Sequence, residues 1–456
     1  MYDMKEINNN GLDCKIFTDN IEPAALQQVY DTIKAPEWEG LKVRIMPDVH
    51  AGSGICIGFT SELGEYIDPD YIGVDIGCSV SMLFLDKPLD PKDYALFEHR
   101  VRKAIPTGDE IQPSRCFDVK EFLAYLRSEL QKAYQNTHGL TWIPDFNDED
   151  DLKRWCSGIG MDLATFYKSI GTLGSGNHFC EYDEGENTWD SFGSNPLGFS
   201  HPTFTQFQGI SVHTGSRNLG VKVNKYWKSQ ACGDKIPREV QKAIQEEVKA
   251  RPGIDKHQIK PTIDEELKKW REENIHPGFL SGENLRGYLT DMVVAMSYAS
   301  WNHKIIMDRI LEIYGKLCGG REKSRITTRH NYIDFSGPTP IIRKGAVSAK
   351  EGEIFLLPLN MRDGVAVCRG KGNPDTNFSA PHGAGRLMSR SSAKSKVSLK
   401  DFEKSMKGIY STSVCRETLD ESPMAYKPKD EILENLDPCA SVEFILKPKI
   451  NIKALK

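Results

Sequence analysis

The sequence predicts an α+β fold built as one domain. Strand-like and helix-like runs interleave along the 456 residues without a βαβ rhythm. No internal repeat, low-complexity tract or linker divides them. Hydrophobic residues make up 39% and charged residues 27% of the chain, ordinary for a globular protein, so a core of useful size is available.

The first forty residues read as a short strand, Lys15 to Thr18, and then a helix. Pro23 suits a first helical position, and Leu26, Val29, Tyr30 and Ile33 form an apolar stripe at helical spacing. Val43 to Ile45 and Gly73 to Leu85 read as buried strands interrupted by glycine turns. Phe117 to Asn136 and Pro237 to Glu273 are charged, amphipathic and poor in glycine, which predicts surface helices inserted at about 117–136 and 237–273 of a single domain spanning 1–456. Leu285 to Tyr314 is longer and more apolar, and predicts a helix buried over much of its surface.

Bulk properties exclude several classes. The longest apolar stretches, such as Asp291 to Ala299, fall short of the roughly 20 residues a membrane helix needs. Polar residues occupy the N-terminal positions where a signal peptide carries its apolar core. Eleven cysteines are scattered without a CxxC pair; an odd count in a long chain favours reduced thiols. The chain thus reads as cytoplasmic. Its net charge of −5 does not mark a nucleic-acid binder, yet Ala366 to Lys396 carries six basic residues against one acid, a local +5. The field at one cleft matters more than the sum over the chain.

Five short segments share one pattern: a β-prone run, a ligand-type side chain, then glycine. They are PDVH at 47–50, GVDIGC at 73–78, GSGNHF at 174–179, HTGSR at 213–217 and HGAGR at 382–386; a sixth, Arg329-His330-Asn331, lacks the glycine. Asp75 and Cys78, three apart across a glycine, could share an ion, and a thiolate can bridge two. Imidazoles from distant segments would complete the shell. A single histidine of this kind is more often a hydrogen-bonded core residue than a ligand. The convergence of several glycine-flanked sites is what points to a metalloenzyme. In HGAGR and HTGSR, backbone N–H groups bared by glycine, with an arginine four residues on, suit a phosphate. The bland alternative is a tight turn with a solvated arginine.

Taken in order, these strings resemble the RtcB family of RNA ligases. The likeness runs from Lys15-Ile16-Phe17-Thr18-Asp19 through PDVHxGxG, GVDIGC, GxGNHFxE, HTGSRxLG, HNY, GKGNP and HGAGRxMSR to the final residues. It implies an α+β domain with mixed sheets around a deep, metal-containing cleft. It also implies an activity: sealing RNA 2′,3′-cyclic phosphate or 3′-phosphate ends to 5′-hydroxyl ends, with GTP and two Mn2+ ions, in RNA repair or tRNA splicing. His382 matches the guanylylated histidine of that family. Asp75, Cys78, His178, His213 and His330 match its metal ligands: Cys78 bridges, His213 and His330 complete one ion, and Asp75 and His178 the other. Asn177 and Arg386 match phosphate-holding residues, Asp48 a residue near the reacting centre, and Glu181, Tyr426 and Lys453 guanine-side contacts. The loop that lies against the guanine reads Pro358-Leu359-Asn360-Met361 here, with leucine where the family has glycine, and places Asn360 and Met361 at the nucleotide. Ser79 and Asn218 also stand where the family usually has glycine.

Ligand chemistry alone would favour zinc over manganese at a Cys/His site, so manganese is an expectation of the resemblance, and zinc is expected to inhibit. Two other functions fit the residues: a metal-dependent phosphoesterase acting on RNA ends, which the altered Pro358–Met361 loop would suit, and a binder of damaged RNA that does not seal it. Retention of His382 and all five metal-ligand types favours the ligase.

Overall fold

In the computed structural model, which describes residues 5–9, 12–136, 144–186, 206–231, 233, 236, 238–255, 257–274 and 278–455, the chain opens on a hairpin of β1 (Lys5–Asn9) and β2 (Leu12–Ile16). Then come α1 (Pro23–Ile33), β3 (Lys42–His50), β4 (Ile57–Glu62) and β5 (Ser79–Leu85). A helical stretch follows, with α2 (Tyr94–Ala104), α3 (Val119–Asn136), α4 (Glu149–Gly158) and α5 (Leu163–Ser169). Strands β6 (Phe179–Glu186) and β7 (Gln206–Thr214) lead into α6 (Arg217–Gln230), α7 (Arg238–Ala250), α8 (Ile259–Asn274) and the 37-residue α9 (Gly282–Cys318). The last part is mostly β: β8 (Glu322–Arg329), β9 (Asn331–Asp334), β10 (Ile341–Lys344), β11 (Ala346–Ser348), β12 (Ile354–Asn360), β13 (Gly364–Gly370) and β14 (Ser379–Pro381). Short helices α10 (Arg390–Lys396), α11 (Leu399–Ser405) and α12 (Lys429–Glu434) precede the closing strand β15 (Ala440–Ile452).

Two large sheets result. The six-stranded one, ordered β1-β2-β3-β4-β10-β9, is mixed, because β2 and β3 run parallel. The seven-stranded one, ordered β12-β13-β15-β6-β7-β5-β8, is antiparallel throughout, and β11 pairs with β14 apart from both. Helix α9 packs the inner residues Ile306, Met307 and Ile310 against Leu83, Ile210 and Val212 of the seven-stranded sheet. On the other face of that sheet, Val80, Met82 and Phe84 meet Leu356, Val367 and Phe444, so the sheet curls on itself. Its two edges touch where the Leu356 N–H donates to Thr328 Oγ1 at 2.8 Å.

Several expectations need correction. Only Ser79–Leu85 of the Gly73 to Leu85 run is strand; Gly73 and Gly77, at φ of +84° and +72°, keep the preceding residues in a turn. The strand expected at Lys15 to Thr18 is β2, which begins at Leu12 and ends at Ile16. Of the stripe expected on α1, Val29 is buried and Leu26 and Ile33 pack against the core, while Tyr30 is exposed; Ala25 and Thr32 complete the buried face. The second helical stretch is two helices, broken near Pro252 and Gly253; Pro237, its expected start, lies outside the described residues. Helix α3 is not merely a surface helix, since Phe122, Leu123, Leu126 and Leu130 are buried in the main core. Among the described residues no helix is long and apolar enough to cross a membrane.

Candidate metal and nucleotide cleft

Register explains why residues far apart in sequence meet. In the seven-stranded sheet Ser79 pairs with Thr214 and with Arg329, Phe179 pairs with His213, and Glu181 pairs with Asn451. The same end of five strands therefore carries Cys78 just before β5, His178 just before β6, His213 near the end of β7, His330 just after β8 and Lys453 just after β15. His330 is also the link from this sheet to β9 of the other. From the six-stranded sheet comes β3, which delivers Asp48 and His50. His382 follows β14 and completes the meeting point.

The donor atoms form two groups that share one thiol, Cys78/His213/His330 and Asp75/Cys78/His178, with the atoms of each group within 4.8 Å of one another. Cys78 Sγ lies 3.2 Å from His213 Nε2 and 3.5 Å from His178 Nε2. His213 Nε2 is 3.3 Å from His330 Nε2, and His178 Nε2 is 3.0 Å from Asp75 Oδ2. The His213 Nδ1–H donates to the Asn177 carbonyl at 3.1 Å, which turns the Nε2 lone pair towards the thiol. Burial pushes His213 and His330 well below the ordinary histidine range, so both are neutral imidazoles, the ligand form. Burial and the Asp75 carboxylate push the Cys78 thiol well up, a cost that a bound cation would reverse. Three nitrogen donors, one sulfur and one carboxylate crowded together fit a pair of divalent ions sharing the sulfur. Glycine is obligatory beside them: a Cβ on Gly215 would sit 2.1 Å from Asp75 Oδ1.

His382 stands against this cluster, its ring 4.9 Å from that of His330. Its Nδ1–H donates to Asp48 Oδ2 at 2.5 Å, and its backbone N–H reaches the same oxygen at 3.1 Å. The imidazole is thereby held in one tautomer, with the Nε2 lone pair free. Asp48 is fully buried, and its Oδ1 has no hydrogen-bond partner.

A cavity of about 580 Å³ opens over His382 and the cluster. Besides Asp75, Cys78, His213 and His330 it is lined by Asn177, Glu181, Asn360, Met361, Arg386, Tyr426 and Lys453, so all the expected nucleotide-side residues face one space. Asp48 and His178 reach it through the contacts above. Burial holds Glu181 up at about 7, although the Asn451 amide, Lys453 and Ser211 pull against it. Met361 is buried under the cavity against Phe402 and Met406.

Sequence reasoning missed Glu421. It is buried in the cavity wall, where its Oε2 accepts from Lys453 Nζ at 3.0 Å and from the Tyr426 hydroxyl at 2.7 Å. Arg386 Nη1 approaches Oε1 at 3.4 Å, with its guanidinium 5.2 Å over the Tyr426 ring. Burial alone would raise this carboxyl, but Lys453, Arg386 and Arg390 outweigh it and hold Glu421 at about 2. It aims three of the expected nucleotide contacts at once. In sequence it is one of two adjacent acids before a serine and a proline, with no spacing to separate it from a solvated acid.

Comparison with known proteins agrees with this geometry. The family model described as tRNA-splicing ligase RtcB matches residues 28–454. The RNA-splicing ligase RtcB of Escherichia coli K12 is 27% identical over 466 aligned positions, covering 95% of each chain. The RNA-splicing ligase RtcB of Mycobacterium tuberculosis is 27% identical, covering 85% of this chain and 91% of its own. For the tRNA-splicing ligase RtcB of Aeropyrum pernix the figures are 26%, 86% and 83%.

Proposed function

We infer the chemistry from one premise: the chain belongs to the tRNA-splicing ligase RtcB family. It is an RNA ligase of a metal-dependent family, and the Cys78 cluster offers a site that could hold the metal. The reading supported best is that it joins RNA 2′,3′-cyclic phosphate or 3′-phosphate ends to 5′-hydroxyl ends, in tRNA splicing or RNA repair, through GMP carried on His382. The observation that carries it is the free Nε2 of His382, fixed by Asp48, beside two donor groups in a nucleotide-sized cavity.

The His382 Nε2 lone pair attacks the α-phosphorus of GTP; the bond to pyrophosphate breaks and a nitrogen–phosphorus bond forms. Asp48 keeps the Nδ1 proton and balances the positive charge that grows on the ring. Water first opens a 2′,3′-cyclic end to the 3′-phosphate; an oxygen of that phosphate then takes GMP from the histidine, and the incoming 5′-hydroxyl displaces GMP from the activated end, its proton passing to solvent. Asp75, Cys78, His178, His213 and His330 would hold the two Mn2+ ions, whose charge would offset that on the phosphoryl oxygens. Asn177 and Arg386 hold phosphate. Glu181, Tyr426 and Lys453 meet the guanine, with Asn360 and Met361 along one side of the nucleotide. Residues 1–456 are read as one catalytic domain in which α3 and the α7–α8 pair are insertions. The chain is read as cytoplasmic, and the ten free cysteines among the described residues support that reading. The test is transfer of label from α-labelled GTP to manganese-loaded protein in an acid-labile bond, together with joining of two RNA oligomers. Absence of both overturns the reading.

Two further outcomes are expected. Lys453→Ala removes a buried cation from the nucleotide end, so the KM for GTP in protein labelling rises about tenfold with little change in kcat; an unchanged KM takes Lys453 out of the guanine site. Glu181 accepts guanine N–H groups with both oxygens only as a carboxylate, and burial holds it up at about 7. Nucleotide binding is therefore weak below that pH and strengthens as pH rises through it. The KM for GTP should fall with rising pH and then level off, and Glu181→Gln should flatten the profile. A flat wild-type profile excludes the contact.

A further inference from the structure

A second polar cavity, of about 380 Å³, lies between the edge strand β8 and helix α9. Its walls include Arg325, Thr327 and Arg329 from alternate positions of β8, with Ser300, His303 and Lys304 from α9. Three of its side chains are cationic, against one carboxylate, Glu353, whose Oε2 is already taken by the Ser348 hydroxyl at 2.6 Å and the Lys350 N–H at 3.0 Å. Arg325 and Lys304 share Asp308 on the rim. Arg329 differs from both. Its guanidinium is half-buried, lies 5.6 Å over the Tyr332 ring and donates to the Ser300 hydroxyl at 3.0 Å, yet no carboxylate pairs with it among the described residues. A partly desolvated cation without a counter-charge is costly, and an anion entering the cavity would relieve it.

The cavity is one layer of residues from the Cys78 cluster. His303, in its wall, places Nε2 3.0 Å from the Thr214 carbonyl, which Cys78 Sγ also approaches at 3.4 Å. Arg329 directly precedes His330. A strand held in the main cleft would place an internucleotide phosphate here by passing round the β8 edge of the sheet.

Resting on the RNA-ligase reading, we propose that this cavity binds a phosphate group of the RNA strand, with Arg329 as its main contact and Lys304 as a second charge at the mouth. It is a positioning site for the RNA backbone and takes no part in nucleotide transfer. The test is anisotropy of a labelled single-stranded RNA bound to wild type, Arg329→Gln and Lys304→Gln across a range of salt. Lys304 is a surface residue, so its variant folds even if that of Arg329 does not. Each substitution should weaken binding about fivefold and lower the slope of log affinity against log salt by about 0.7, the single-strand value for one phosphate. Labelling of the protein by GTP without RNA should remain at the wild-type level. Wild-type RNA affinity and slope in both variants overturn the proposal. If Arg329→Gln instead loses only a thermal shift produced by inorganic phosphate, the cavity takes the free ion and the RNA assignment is overturned. Failure of the ligase reading is distinguishable, because wild-type protein would then not join RNA ends at all.

Discussion

Replacing His382 by alanine should abolish labelling of the protein by α-labelled GTP and reduce RNA joining by about 10⁴-fold or more, the scale expected when a covalent nucleophile is removed. The ring is mostly buried, but its one firm polar partner is Asp48, and the Ala384 and Ala380 core behind it is built by other residues. The variant should therefore fold and keep its metal. That makes the result informative about the alternatives too. Protein that never takes label but opens 2′,3′-cyclic phosphates is a phosphoesterase; protein with neither activity and intact RNA affinity is a binder of damaged ends. Label that persists in His382→Ala moves the carrier to another residue and removes the basis of the proposed mechanism.

The second large effect is expected at Cys78. In both donor groups its sulfur is the shared atom, so Cys78→Ala takes one ligand from each ion at once. Water entering in its place would not restore the thiolate's charge to either donor group, so both would be weakened together. Bound manganese, measured by elemental analysis of desalted protein, should drop from two per chain to one or none, with labelling lost to background. Near-normal labelling with two metals retained would show that the ions sit elsewhere.

How much of this was legible beforehand depends on whether the signal is local. The glycine-flanked donors at 75, 78, 178, 213 and 382 announce themselves because a side chain beside them would collide, as at Gly215 and Asp75. The first helix and its Pro23 start are equally local. What could not be read is pairing. That Ser79 lies opposite both Thr214 and Arg329 is a matter of strand register across more than a hundred residues. Tyr30 shares the helical spacing of Leu26, Val29 and Ile33, but on α1 it falls outside the face that meets the core. Glu421 was invisible for a related reason: its importance comes from Lys453, Tyr426 and Arg386, which reach it from three separate segments.

His330 joins the last residue of one sheet to the first of the other, while Asp48 and His382 approach from the opposite side. Ions seated among these donors would act as a rivet through the seam, binding only the assembled state and stabilising it by mass action. Chelation should then loosen the junction between the sheets as well as silence the enzyme, making heat resistance of the chain a gauge of its metal loading.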